Sequence, residues 1–148
     1  MGVILLEISL QDHMELFNKA NIFMLYNGMR ITRLEPDRAT VELDIVPESL
    51  NLRGAVHGGV YFTMSDCAAS AAARTDGRAY VTLDADIHFL RGATQGHLIA
   101  QAVVRRRGRS ICRVDVSVTD EKGQLLCDAG YSMFCTGPAP AFAPAAQQ

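Results

Sequence analysis

The chain contains no tryptophan, and its four cysteines, Cys67, Cys112, Cys127 and Cys135, form no CxxC pair. A structural zinc site needs clustered Cys and His ligands, so this spacing speaks against a metal centre. Each cysteine lies in an apolar stretch, where a reduced thiol serves as a small core residue, the usage expected of a cytoplasmic protein. No apolar run reaches the roughly 18 residues that cross a bilayer. The N-terminal MGVILLEISL is interrupted by Glu7 and lacks the basic flank of a secretory signal. Leu6 stands where a myristoylation signal requires Ser or Thr. Surplus positive charge is missing too: 14 Lys and Arg against 16 Asp and Glu leave a net charge of -2, which argues against nucleic acid as a partner. The expectation is a soluble protein with neither a membrane nor a nucleic-acid partner.

What is present fits one α+β domain in 148 residues. Leu10, Met14, Phe17, Ile22, Phe23 and Tyr26 give helical spacing, which predicts a first helix over 10–26, closed by Asn27-Gly28. Short strand patterns follow at 29–34 and 39–46. A second helix is predicted over 58–74, then four strands near 79–90, 97–106, 110–119 and 124–135. Strands in hairpin sequence imply an antiparallel sheet of five to six strands around one long central helix, with the N-terminal helix outside. The domain spans 1–136, and GPAPAFAPAAQQ from Gly137 reads as a flexible Pro/Ala-rich tail.

The stretch NLRGAVHGGVYFTMSDCAASAAA, residues 51–73, carries the chemistry. Between Gly58 and Ala73 the only charge is Asp66, on a helix apolar enough to be buried on most sides. A buried carboxylate without a partner is costly, so Asp66 has either a hydrogen-bonded structural role or a catalytic one. The first N–H groups of a helix lack intrahelical partners and carry partial positive charge. The Gly58 N–H, with the Asn51 amide as second donor, suits an oxyanion; a tight loop-to-helix junction also explains Gly58-Gly59. Gly58 and Asp66 lie eight residues apart, about 12 Å along a helix, whereas an attacking group must come within about 3.5 Å of the polarised carbon. If both act on one carbonyl, Asp66 comes from a second copy running antiparallel, which predicts a homodimer with two composite sites.

His57-Gly58-Gly59, with Asp66 nine positions after His57 and Asn51 six before it, resembles the hotdog-fold acyl-CoA thioesterases, closest to the PaaI-like and THEM2-like branch. The resemblance covers about residues 28–135 and includes TLDADIHFLRGA at 82–93. It implies a hotdog fold and hydrolysis of a coenzyme A thioester with an aromatic or medium-chain acyl group. No cofactor is implied beyond the coenzyme A of the substrate. Gly58 and Asn51 would polarise the carbonyl, His57 would orient the loop, and Asp66 would be base or nucleophile. Thr82 falls where relatives place a hydroxyl that positions water. Gly59 and Ser70 would line the substrate site, Ser70 one turn beyond Asp66. Arg91, Arg107 and Arg109 are candidates for the coenzyme A phosphates. Phe23, Met24, Tyr26, Phe62 and Met64 are candidate acyl contacts or plain core. Pairing of dimers into a tetramer is expected. A non-enzymatic acyl-CoA binder that dispenses with Asp66, and a hotdog hydratase or dehydratase, are the alternatives. Asp84, Asp86 and His88 share a strand face, read as a wet or interface row rather than a metal site.

Overall fold

The computed structural model describes residues 9–139; the expectations for MGVILLEI and for residues 140–148 fall outside them. The helices are α1 (Leu10–Ala20), α2 (Ile22–Tyr26) and α3 (Gly58–Ala73). The strands are β1 (Met29–Glu35), β2 (Arg38–Asp44), β3 (Arg78–Phe89), β4 (His97–Arg107), β5 (Ile111–Asp120) and β6 (Leu125–Pro138). They form one antiparallel sheet in the order β1-β2-β4-β5-β6-β3. Among the described residues no helix is long and apolar enough to cross a membrane.

Alternation along the strands decides which face meets α3. Val41 and Leu43 of β2, Leu98 and Ala100 of β4, and Val114, Val116 and Val118 of β5 are buried beneath the helix. The helix answers with five alanines, Ala68, Ala69, Ala71, Ala72 and Ala73, none more than 3% exposed. Without long side chains there, the sheet packs close to the helix axis and curls round it. The opposite stripe of α3, Gly59, Phe62, Thr63, Asp66, Cys67 and Ser70, is not fully covered. The helix is therefore buried on most sides, as expected, but Asp66 lies on the side left open.

The expected single helix over 10–26 is two. Asn21 leaves helical geometry at φ -81 and ψ 79; its N–H bonds the Phe17 carbonyl, while its side-chain oxygen accepts from the Met24 N–H. A side chain that competes for backbone donors ends α1 and starts α2 without disturbing the apolar spacing, so periodicity does not register the break. Gly28, at φ 76, closes α2 where expected. β6 continues through Gly137 to Pro138, pairing there with Arg78. Strand β3, third in sequence, occupies one edge of the sheet, and its Val81, Leu83 and Phe89 are more than half exposed.

Candidate active site

Two clusters of predicted residues form at two places on α3. The first is the helix start. His57 is the N-cap, and its Nδ1 accepts from the Gly59 N–H at 2.9 Å. The ring nitrogen that accepts carries no proton, so this contact requires the neutral ring with its hydrogen on Nε2. A Cβ on Gly59 would lie 3.0 Å from that Nδ1, so glycine is what lets the cap close. The Gly59 N–H is thereby occupied. The Gly58 N–H has no partner among the described residues, and a Cβ at Gly58 would meet only the Phe89 ring at an ordinary 3.5 Å. The position leaves room for an approaching oxygen.

Asn51 lies in the loop that leads into this helix start. Its Oδ1 accepts from the Arg53 and Ala55 N–H groups at 2.9 and 3.2 Å, and a Leu50–Val56 bridge closes the loop. With its oxygen committed to the backbone, the side chain keeps an Nδ2 donor that has no partner among the described residues. His57 N–H bonds the Ser49 carbonyl and Val56 N–H the Ala93 carbonyl, so the loops before α3 and after β3 are tied together.

The second cluster is Asp66 with Thr82. The Thr82 hydroxyl donates to Asp66 Oδ1 at 2.6 Å, from strand β3 to the middle of α3. Charge-assisted O–H bonds fall at this length, and this one leaves Oδ2 uncommitted. Nearby Tyr131 is wholly buried; burial and then the charge on Asp66 push its hydroxyl up, and it donates to the Phe62 carbonyl at 3.3 Å. Burial, and next the Asp66 carboxylate, push the neighbouring Cys67 thiol up to about 12, which removes it as a nucleophile.

Ser70 lies one turn past Asp66 on the open stripe and is half-buried. Arg91 and Arg109 are exposed, and neither side chain is engaged among the described residues. Arg107 is otherwise committed. Its guanidinium donates to the Ala73 and Ala72 carbonyls and to Tyr80 Oη, and pairs with Asp37 and Asp76 at 2.7 and 2.9 Å. Both carbonyls belong to the last turn of α3, where intrahelical donors run out, and Arg107 caps the helix there alongside the Thr75 hydroxyl, which donates to Ala72 at 2.8 Å. Met24 and Met64 are fully buried core, whereas Phe23, Tyr26 and Phe62 stay exposed.

On the outer face of the sheet a cleft of about 400 Å³ is lined by Asp86, His88, Arg105, Arg113, Asp115 and Asp128. Its charges are paired: Arg113 with Asp86 and Asp84, Arg105 with Asp115, His88 with Asp128. Among the described residues no group of three His, Cys, Asp or Glu is placed to hold a metal.

One charged cluster escaped sequence reasoning. His97 has Nδ1 2.7 Å from Asp44 and Nε2 2.8 Å from Glu42. The Glu42 contact above all raises its pKa, while bonds from Thr32 and then His97 lower that of Glu42. The alternation of β2 puts Glu42 and Asp44 on one face, but only the β2–β4 register brings His97 between them.

The sequence model of the thioesterase superfamily matches residues 53–127. A candidate esterase of Mycobacterium tuberculosis is 33% identical over 105 residues, which cover 67% of this chain and 75% of that protein. A hypothetical thioesterase of Streptococcus pneumoniae, solved with coenzyme A, is 28% identical with a TM-score of 0.74, covering 78% of this chain and 94% of that one. It has also been solved with an aspartate, or a threonine sixteen positions later, replaced by alanine. The PaaI protein of the Escherichia coli phenylacetic acid degradation operon is alike in fold, with a TM-score of 0.83 over 87% of this chain and 94% of that one at 22% identity. The family's span over half of the sequence, and a six-stranded sheet curled round one long helix, agree: the chain belongs to the thioesterase superfamily of thioester hydrolases and has the hotdog fold.

Proposed function

We propose that this protein hydrolyses a coenzyme A thioester to free acid and coenzyme A, as a homodimer in which each site joins the helix start of one subunit to Asp66 of the other. The observation that carries the reading is the separation of the two clusters. A free helix-start N–H and a carboxylate held by Thr82 stand on one helix, eight residues and about 12 Å apart. Antiparallel pairing of α3 with its copy along the open stripe brings Asp66 to the partner's Gly58 and completes two sites at once. The exposed edge strand β3, with Val81, Leu83 and Phe89 uncovered, is the matching surface on the sheet. Replaced side chains sixteen positions apart in the pneumococcal thioesterase have the spacing of Asp66 and Thr82.

In this site the thioester oxygen accepts from the partner's Gly58 N–H and the partner's Asn51 amide. These donors stabilise the negative charge that gathers on it as the carbonyl carbon becomes tetrahedral. As base, Asp66 takes a proton from water through Oδ2, the hydroxide oxygen bonds the carbon, and the C–S bond breaks. The bond's electron pair leaves on sulfur, and the thiolate takes the proton that Asp66 holds, which restores the carboxylate. As nucleophile, Asp66 would bond the carbon itself as the coenzyme A thiolate leaves, and water would open the anhydride at the Asp66 carboxyl carbon, releasing the acid. A single turnover in heavy-oxygen water establishes the second route if label enters the Asp66 carboxylate, which the first never marks.

The coenzyme A arm leaves past Ser70. The same antiparallel pairing sets the β4–β5 hairpin with Arg109 beside the loop after the partner's β3, which carries the partner's Arg91, and both guanidinium groups are open to phosphate. Asp66→Asn tests the whole reading: turnover of an acyl-CoA panel, followed with a free-thiol reagent, is lost while the fold and coenzyme A binding persist. Hydrolysis at the wild-type rate by that variant overturns it. A non-enzymatic binder would hydrolyse no member of the panel.

A further inference from the structure

We infer, resting on the antiparallel dimer proposed above, that Phe62 lies at the twofold axis and forms with the partner's Phe62 a wall that the acyl group meets, making it the residue that limits acyl length. When two identical helices run antiparallel with Asp66 opposite the partner's Gly58, the residue midway between positions 58 and 66 faces its own copy. That residue is Phe62. Strand β3 passes the same two levels. Thr82 is level with Asp66 through their hydrogen bond, and the Phe89 ring lies beside Gly58.

Phe62 suits such a wall. It is 40% exposed in the single chain, on the open stripe and one turn from Asp66. It is also held in place: the ring stands edge-on to Tyr131 with centroids 6.0 Å apart, and the Tyr131 hydroxyl bonds the Phe62 carbonyl. The substrate's two arms must leave the carbonyl in opposite directions. The coenzyme A arm is anionic and needs water and cations, which lie away from the axis. The acyl arm therefore points toward the axis, which is four residues or about 6 Å of helix away. A single aromatic ring or a short chain fits that length against two phenyl faces. A long chain has to displace them.

The test compares kcat/KM for acetyl-, hexanoyl-, phenylacetyl-, decanoyl- and palmitoyl-CoA in the wild type, Phe62→Ala and Phe62→Leu, with dimerisation followed by sedimentation. The wild type should favour the short and single-ring substrates. In Phe62→Ala the decanoyl-to-phenylacetyl ratio should rise at least about 10-fold, the low end of what one methylene of fit is worth in a pocket. Phe62→Leu keeps most of the apolar area and should shift the ratio in the same direction by less, so it decides the matter if the alanine variant does not fold or dimerise. An unchanged ratio in dimeric, active variants overturns the wall and leaves the hydrolase reading standing. A wild type that cleaves no CoA thioester overturns the hydrolase reading and the wall with it.

Discussion

The proposed composite sites make a quantitative prediction for mixed dimers. Two lesions are needed, each confined to one half-site. Asp66→Asn removes the carboxylate's charge at nearly constant shape. For the other half, Gly58→Pro deletes the N–H and little else. Gly58 is the first helical residue after the His57 N-cap, the position where proline is best tolerated. His57, at φ -64 and ψ 138, already has the extended backbone that a following proline requires. A Cβ at position 58 also has space, its nearest atoms being those of the Phe89 ring at 3.5 Å. Loss of one oxyanion donor costs roughly 100- to 1000-fold in kcat, so each homodimer should be nearly inactive. In a heterodimer one site receives both lesions and the other receives neither. Random exchange gives half heterodimers, so about a quarter of all sites are whole and the mixture should reach about 25% of wild-type turnover. The assay is thiol release after unfolding and refolding the variants together, with heterodimers counted by native mass spectrometry on differently tagged chains. Background activity despite confirmed heterodimers would refute the composite site, since a site within one chain gains nothing from mixing.

Four further outcomes follow from the geometry. Asn51→Asp keeps the oxygen that accepts from Arg53 and Ala55 but loses the Nδ2 donor, so kcat should fall about 100-fold or more with the melting temperature near that of wild type. A comparable loss of melting temperature would assign Asn51 to the loop alone. Thr82→Val removes the donor to Asp66 and should lower kcat about 10-fold, as expected for a charge-assisted bond at a partly exposed site; steady-state kinetics showing a change only in KM would contradict it. Arg107→Met uncaps α3 and should cost about 2 kcal/mol in chemical denaturation, with KM for the CoA thioester unchanged. A raised KM in a fully stable variant would make Arg107 a phosphate ligand instead. His97, raised in the fold by Glu42 and then Asp44, contributes stability that is complete below its ordinary unfolded pKa and is lost as pH rises through the folded one. Glu42, held low by Thr32 and then His97, contributes above the unfolded carboxylate range and loses its share as pH falls through the folded value. The melting-temperature gap between wild type and His97→Gln should therefore be widest at mildly acidic pH and narrow toward alkaline pH; a gap independent of pH would show that the imidazole stays neutral.

The strands and α3 were legible because their apolar periods are short and uninterrupted, and the HGG-to-Asp spacing marked the start of α3 and the one carboxylate within it. Where the reading failed, the deciding contact came from residues distant in sequence or from a side chain acting on its own backbone. Asn21 splits the first helix through a local bond that leaves hydrophobicity untouched. Arg107 looks like any hairpin arginine until the register sets it beneath the end of α3. His97 carried no signal because its partners stand more than fifty positions earlier. For Thr82 the family resemblance marked the residue, but only the packing of β3 on α3 shows its hydroxyl on Asp66.

The alanine faces of α3 bear on how such a protein changes its diet. The C-terminal half of α3 is packed to the sheet through five methyl groups, with no long side chain there to trade for an acyl slot. Under the proposed dimer, altered preference then has to arise on the open stripe and at the rim, outside the alanine face that holds the sheet. Folding and substrate choice are written on opposite sides of one helix, so selection can revise the second while leaving the first alone.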